Sequence, residues 1–339
     1  MDPVLITNDL SIGYKDRHKT HNILAGDINL AIYPGDFVCL IGPNGCGKST
    51  LLRTLAGMQS PINGSVKAGG RDLNLSGREE LAKIISVVLT ENFGIVNTSV
   101  RSIISLGRYP YSNWLGTLKE SDYEAIDEAI ESAGLAAYRD VNFTELSDGI
   151  RQKVMIARAL AQDTSIILLD EPTAFLDAPS KLEIIHMLRS LARRLGKTVI
   201  LSSHDLDLVL QSADSVILIT KDKKVETDIP ENLVLNGHFE EAFNKEDVKF
   251  SLQQGIFKME SAGGINFLVK GGKGEVFWTE RALARIGISA IQGNKYDGII
   301  EIISGAGKNR WKVSYNNAES EFDSLNEVLA YIRKRTGGR

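Results

Sequence analysis

The sequence predicts an α/β protein: a main domain built on a mostly parallel sheet covered by helices, followed by a small α+β domain. Three observations predict it. First, the runs Val4 to Ile12 and Phe37 to Ile41 are short, apolar, rich in β-branched residues and closed by glycine, as strands are. The second run leads through a glycine-rich loop into Ser49 to Met58, where Leu51, Leu52 and Leu55 share one helical face. Second, the middle of the chain alternates: loop and helix from Thr144 to Ala161, buried strand from Ser165 to Leu169, helix from Ser180 to Leu195, buried strand from Thr198 to Ser202. Such alternation implies parallel strands joined by helical crossovers. Third, past about Pro230 the texture changes to glycine-rich turns (Gly263-Gly264, Gly271-Gly272, Gly305 to Gly307) around short runs such as Ile265 to Val269 and Trp311 to Tyr315.

These readings divide the 339 residues into a first domain over 1–230 with a helical subdomain over about 92–160, a linker over 231–250, and a small domain over 251–339. Within the last, the segment beginning at Gly255 aligns loosely with the one beginning at Gly298, which predicts a tandem repeat of strands followed by one helix, packed as a pseudo-twofold pair. Trp278 and Trp311 are expected in the core of that domain.

Bulk properties narrow the function classes. Hydrophobic residues make up 43% and charged residues 24%, an ordinary globular balance, and the net charge of -4 has the wrong sign for a dedicated nucleic-acid binder, so no nucleic acid is expected. Only Cys39 and Cys46 are present, which argues against a disulfide framework and for a reducing compartment. The N-terminus is acidic where a secretory signal would be basic. The most apolar stretch, Ile28 to Ile41, is interrupted by Asn29, Pro34, Gly35 and Asp36 and falls short of the ~20 apolar residues of a spanning helix, so a membrane role must come through a partner.

Gly42, Pro43, Asn44, Gly45, Cys46, Gly47, Lys48, Ser49 and Thr50 fit the phosphate-loop pattern G-x-x-x-x-G-K-[ST] in its required context, after a strand and before a helix. Glycines free backbone N–H groups to wrap phosphate oxygens, Lys48 reaches the terminal phosphates, and the Ser49 hydroxyl suits Mg²⁺. In IILLDEP, Ile166 to Pro172, an apolar strand carries Asp170 and Glu171 to its carboxyl end, the edge where open parallel sheets bind ligands. Asp170 is assigned to Mg²⁺ and Glu171 to the attacking water.

The segment LSDGIRQ, Leu146 to Gln152, resembles the signature of ABC ATPases, and it lies upstream of the Asp-Glu pair as in that family. The resemblance, which covers Val4 to about Pro230, implies an ABC-type ATPase fold, MgATP hydrolysis, and a head-to-tail homodimer in which Ser147, Asp148 and Gly149 complete the nucleotide site of the other subunit. It further implies that Tyr14 stacks on adenine, that Phe175-Leu176-Asp177 is the loop crossing the dimer interface, and that His204 contacts the γ-phosphate and is catalytic with Glu171. Two positions depart from the family. Asp148 stands where a glycine is usual; a carboxylate is unfavourable beside a γ-phosphate, so its side chain is expected to point away. Glu91 stands where the family has a glutamine that touches Mg²⁺, with Thr90 as its neighbour if the register slips by one; a carboxylate suits a hard cation, so Glu91 is expected to make the Mg²⁺ contact, directly or through water. Cys46 has two readings, a reactive thiol at a helix N-terminus or a small residue that fits the loop.

The stretch Gly107 to Gly116, GRYPYSNWLG, resembles a segment of importers for ferric siderophores, haem and vitamin B12 that faces the membrane subunit. It implies permease docking by Arg108, Tyr109 and Trp114, with plain surface packing as the alternative. The expectation is thus the ATP-binding subunit of an importer, peripheral on the cytoplasmic face of the membrane, working with polytopic permease subunits and indirectly with a substrate-binding protein. A soluble ABC-type ATPase of DNA repair, translation or cluster assembly is the competing reading; such proteins often carry tandem ATPase units or a long coiled coil, and neither is evident here. The last domain is expected to regulate or to stabilise the dimer.

Overall fold

A computed structural model describes residues 2–15, 21–89, 97–113, 116–244, 248–252, 255–259, 264–291, 293, 295–305 and 308–336. The chain forms two compact units, Met1–Phe257 and Lys258–Arg339.

In the first unit, β1 (Leu5–Lys15), β2 (His21–Ile28), β3 (Ala31–Ile32) and β4 (Phe37–Ile41) precede α1 (Lys48–Leu55), and β5 (Asn63–Ala68), β6 (Arg71–Asp72), α2 (Arg78–Leu81) and β7 (Ile85–Val88) follow. A helical region comes next: α3 (Val100–Ser105), a 3-10 segment (Leu106–Tyr111), α4 (Glu120–Ser132) and α5 (Asp148–Ala161). The chain then returns to the sheet through β8 (Ile166–Leu169), α6 (Ala178–Leu195), β9 (Thr198–Ser202), α7 (Leu206–Ser212), β10 (Ser215–Ile219) and β11 (Val225–Asp228), and continues into α8 (Pro230–Leu235), α9 (His238–Phe243) and β12 (Val248–Ser251).

The central sheet has the order β11-β10-β4-β9-β8-β7, parallel except for the β11 edge. Alternation along each strand explains why its strands read as unbroken apolar runs. Phe37, Cys39, Ile41, Ile167, Leu169, Val199 and Leu201 face a core shared with the helices α3 to α6, whereas Val38, Leu40, Ile166, Leu168 and Ile200 face a second core shared with α1 and the strands around β1. Those strands make a separate antiparallel sheet, β2-β1-β5-β6 with β3 also paired to β1, distinct from the parallel sheet that the sequence predicts.

The expected linker over 231–250 is corrected. Leu233, Phe239, Ala242 and Phe250 from α8, α9 and β12 are all buried in the first core, and Phe239 sits 5.8 Å from both Phe243 and Phe250, ring centre to ring centre. The boundary between the units falls later, within β13 (Ile256–Met259), the partner of β12.

The second unit contains β14 (Asn266–Lys270), α10 (Lys273–Ala284), β15 (Ser289–Ala290), β16 (Gly298–Ser304), β17 (Asn309–Tyr315), β18 (Ala318–Phe322) and α11 (Leu325–Thr336). Its sheet runs β15-β14-β16-β17-β18 over a core of Phe267, Leu283, Ile288, Ile300, Val313, Val328 and Ile332. The fold is α+β, but not a tandem repeat. β13 lies outside this sheet and β14 runs parallel to β16, whereas the aligned strands β16 and β17 form an antiparallel meander with β18. Glycine-bounded strands aligned by chance. Trp311 is half-buried, with its indole N–H donated to Thr279 Oγ1 at 3.1 Å. Trp278 is corrected: it is 62% exposed, with the Arg281 guanidinium 5.4 Å from its ring centre.

Candidate nucleotide site

The order β4-β9-β8 brings three strand ends together, and each delivers part of one site. β4 leads into Gly42 and β8 into Asp170 and Glu171, and β9 ends at Ser202, with Ser203 and His204 following.

The loop after β4 is shaped by two glycines at positive φ, where a side chain would be strained. Gly42 has φ 154°, and a Cβ there would sit 2.6 Å from the Ile219 carbonyl oxygen. Gly47 adopts φ 107° at the N-cap of α1, and a Cβ there would come 3.1 Å from Leu24 Cβ, so a side chain would meet both strain and crowding. Lys48 is 6% exposed and folds back to donate to the carbonyls of Gly42 at 3.0 Å and Pro43 at 3.3 Å. The ammonium therefore lies inside the loop, where a phosphate oxygen would compete for it. Pro43, Asn44 and Gly45 form the outer turn, and the Cys46 amide donates to the Pro43 carbonyl at 3.3 Å. Burial pushes the Cys46 thiol above its ordinary range, against the opposing pull of Lys48 and nearby backbone N–H groups, which disfavours the thiolate.

Across the loop, Ser49 Oγ donates to Asp170 Oδ1 at 3.1 Å, and the same carboxylate oxygen accepts from Ser202 Oγ at 2.7 Å. Ser202 Oγ also accepts the Glu171 backbone N–H at 2.9 Å. Glu171 needs that anchor, because its φ of 49° is a left-handed conformation that costs a non-glycine residue ~1–3 kcal/mol. Its carboxylate meets His204 Nε2 at 2.5 Å. Tyr14, at the end of β1, gives its hydroxyl to a 2.9 Å bond with Thr50 Oγ1 and stays 51% exposed. Tyr14, the loop, Asp170, Glu171 and His204 are thus joined by hydrogen bonds or chain neighbours into one site. Ser202 is the member that sequence reasoning missed; a serine ending a buried strand gives no signal until the topology places it between two acids.

Ser147, Asp148 and Gly149 gather elsewhere, at the N-terminus of α5 and against the start of α6. Ser147 holds the N-cap position in extended conformation without a side-chain capping bond. A Cβ on Gly149 would come 3.2 Å from Ser180 Oγ. The exposed Asp148 carboxylate pairs with Arg151 at 3.3 Å. Asp177 caps α6 by accepting the Ser180 N–H at 2.9 Å, and the Ser180 hydroxyl and backbone hold its carboxyl below the usual range. Just before it, Phe175 is 94% exposed at φ 62°.

Of the expected docking residues, Tyr109 is 78% exposed, and Trp114 lies outside the described residues, as do Glu91 and Thr90. Arg108 is corrected. It is 7% exposed, bonded to Asp122 Oδ1 through Nε at 2.9 Å and NH2 at 2.8 Å, so its charge is spent inside the protein.

Comparison with known proteins agrees with this geometry. Residues 25–174 match the family model described as ABC transporter, and residues 266–333 match the iron ABC transporter C-terminal domain. An uncharacterised ABC transporter ATP-binding protein of Methanocaldococcus jannaschii is 37% identical over 258 residues, covering 76% of this chain and 87% of that one. The iron(3+)-hydroxamate import ATP-binding protein of Bacillus subtilis is 36% identical over 217 residues, covering 64% and 79%. Among solved structures, a dimeric ATP-binding cassette in a post-hydrolysis state, bound to ADP and Pi, superimposes with a TM-score of 0.57 at 27% identity, covering 67% of this chain and 98% of that one.

Proposed function

From the premise that this chain belongs to the ABC transporter ATP-binding family, we propose that it hydrolyses MgATP as half of a homodimer and drives uptake of an iron chelate through a separate membrane permease. The observation that carries the reading is the convergence of Lys48, Ser49, Asp170, Glu171 and His204 on adjacent strand ends. The iron-chelate assignment draws on the hydroxamate-import relative and on the iron-transporter match of the second unit.

In this mechanism Tyr14 offers its open ring to adenine, and the Gly42 to Thr50 loop wraps the phosphates with Lys48 turned from its own carbonyls to theirs. Ser49 and Asp170 are hard oxygen donors that share a 3.1 Å hydrogen bond, a set that fits Mg²⁺. Ser49 and Asp170 would hold the ion from the protein side, with its remaining positions left to nucleotide and water, as is usual for Mg²⁺. Bound there, Mg²⁺ supplies charge neutralisation to the β- and γ-phosphates. Glu171 orients the attacking water and accepts its proton, and His204, released from Glu171, holds the γ-phosphate for in-line displacement. Ser147 and Gly149 of a second copy close the site, because the α5 N-terminus offers backbone N–H groups and a positive dipole end to the phosphate. Asp177 stands at that interface.

No helix of the described residues is long and apolar enough to cross a membrane. In the importer reading, which draws on the relatives and not on that absence, the chain sits peripherally on the cytoplasmic face, against polytopic permease subunits that receive the chelate from a substrate-binding protein. Tyr109, exposed to solvent, belongs to the permease-facing surface in this reading. Glu171→Gln tests the catalytic assignment. It should retain ATP binding, lose ~10²- to 10⁴-fold in hydrolysis and accumulate an ATP-bound dimer on size exclusion; hydrolysis near the wild-type rate would remove Glu171 from its role.

A further inference from the structure

The buried Arg108 sits in a segment with two unlike sides. On the outside, Leu106 and Tyr109 are 56% and 78% exposed, an apolar pair left open to solvent. On the inside, Gly107 and Arg108 are locked against the last turn of α5. A Cβ on Gly107 would lie 2.2 Å from the Arg158 carbonyl oxygen, so backbone touches backbone there. Arg108 NH1 donates to the carbonyl of Ala161, the final residue of α5, at 2.9 Å. That carbonyl is one of the four at a helix end with no intrahelical partner, and a cation is favoured beside it. The other two guanidinium nitrogens are engaged as well. Nε and NH2 grip Asp122 Oδ1, the Tyr111 ring centre lies 4.0 Å from the guanidinium carbon, and Asp122 Oδ2 accepts the Lys119 N–H at 2.8 Å to cap α4.

The other end of α5 carries Ser147, Asp148 and Gly149. A helix of 14 residues is a rod of roughly 21 Å, stiff enough to transmit a push from one end to the other. We propose that Arg108 is a positioning residue that joins the partner-facing segment Leu106–Tyr111 to the signature helix, so that movement of a permease against Leu106 and Tyr109 shifts Ser147 toward or away from the nucleotide of the opposite subunit. The inference rests on the importer reading. It assigns to Arg108 neither contact with nucleotide nor contact with permease.

The test uses the full chain, alone and assembled with its permease in liposomes, in two variants. Arg108→Lys keeps the charge but loses the fork that reaches Asp122 and Ala161 together. Gly107→Ala wedges the segment off the α5 backbone with Arg108 intact, and it keeps the inference testable if the first variant folds poorly. For each, ATPase activity of the chain alone, permease co-purification and permease-stimulated ATPase activity are measured. The expected result is unassisted hydrolysis within about twofold of wild type, retained co-purification, and a permease-dependent stimulation reduced about tenfold, the order of a typical coupling between sites. Stimulation at the wild-type level in both variants would overturn the inference, as would an equal loss of unassisted and stimulated activity, which marks a merely structural residue. Failure of the wild-type chain to associate with a permease would overturn the importer reading itself and this inference with it.

Discussion

Ser202→Ala removes one hydroxyl from the space between the two site acids. Ser202 is fully buried, and its Oγ both accepts the Glu171 N–H at 2.9 Å and donates to Asp170 Oδ1 at 2.7 Å. A hydrogen bond to a charged group contributes ~1.5–3 kcal/mol and a neutral one ~0.5–1.5. Asp170 keeps its Ser49 bond, and the two lost bonds share one oxygen, so the stability cost should be about 2–3 kcal/mol rather than the full sum. The kinetic cost follows from the backbone. Glu171 is held at φ 49° by that same hydroxyl, and once freed it can relax toward ordinary conformations and carry its carboxylate away from the water it orients. A misplacement of ~1 Å costs ~10²-fold, so kcat should fall roughly ten- to a hundredfold. The KM for ATP should change little, because the phosphate loop is untouched. Urea unfolding and steady-state ATPase kinetics on Ser202→Ala and Ser202→Thr provide the assay, with the threonine hydroxyl expected to recover most of both losses. An alanine variant with the wild-type urea midpoint and kcat would refute the reasoning.

Further outcomes follow from other parts of the molecule. Arg108→Ala leaves Asp122 as an unpaired buried carboxylate and should cost ~3–5 kcal/mol at neutral pH by urea unfolding. Burial alone would raise the Asp122 carboxyl, but the Lys119 N–H and the Arg108 bonds and charge outweigh it and hold its pKa below the ordinary range. The stabilisation is therefore complete above the ordinary carboxylate pKa and lost as pH falls through the depressed folded value, so the gap between wild type and variant should narrow in acid. Cys46, with its thiol pushed up by burial, should react with iodoacetamide at pH 7 more slowly than a free cysteine; rapid alkylation would contradict its assigned environment. Truncation after residue 257 should spare ATP binding, whereas truncation after Pro230 should unfold the first unit because it deletes Leu233, Phe239 and Phe250 from the core; equal binding by both would contradict the core assignment.

What could be read in advance was whatever rests on local pattern. The runs Phe37–Ile41 and Thr198–Ser202 were legible because strands buried on both faces are apolar throughout, and the loop from Gly42 to Thr50 because phosphate wrapping requires glycine and lysine at fixed spacing. What depended on distant partners was not. Arg108 looked like a surface residue because its counter-charge, Asp122, and its acceptor, the Ala161 carbonyl, come from two other elements that only the fold brings together. Phe239 and Phe250 looked like linker because α8, α9 and β12 are each too short to show a period, and their burial comes from one another and the first core. Trp278 was expected inside on size alone, yet α10 turns Thr279, Ala282 and Leu283 to the core and leaves Trp278 outside.

The central claim is tested most directly by transport. The chain, its permease and the binding protein are assembled in proteoliposomes, ATP and Mg²⁺ are supplied on the side of this subunit, and accumulation of a radiolabelled ferric chelate is followed for wild type and Glu171→Gln. Accumulation that requires ATP and is lost with Glu171→Gln is the expected result. Uptake independent of ATP, or undiminished by the Glu171→Gln change, would contradict the account.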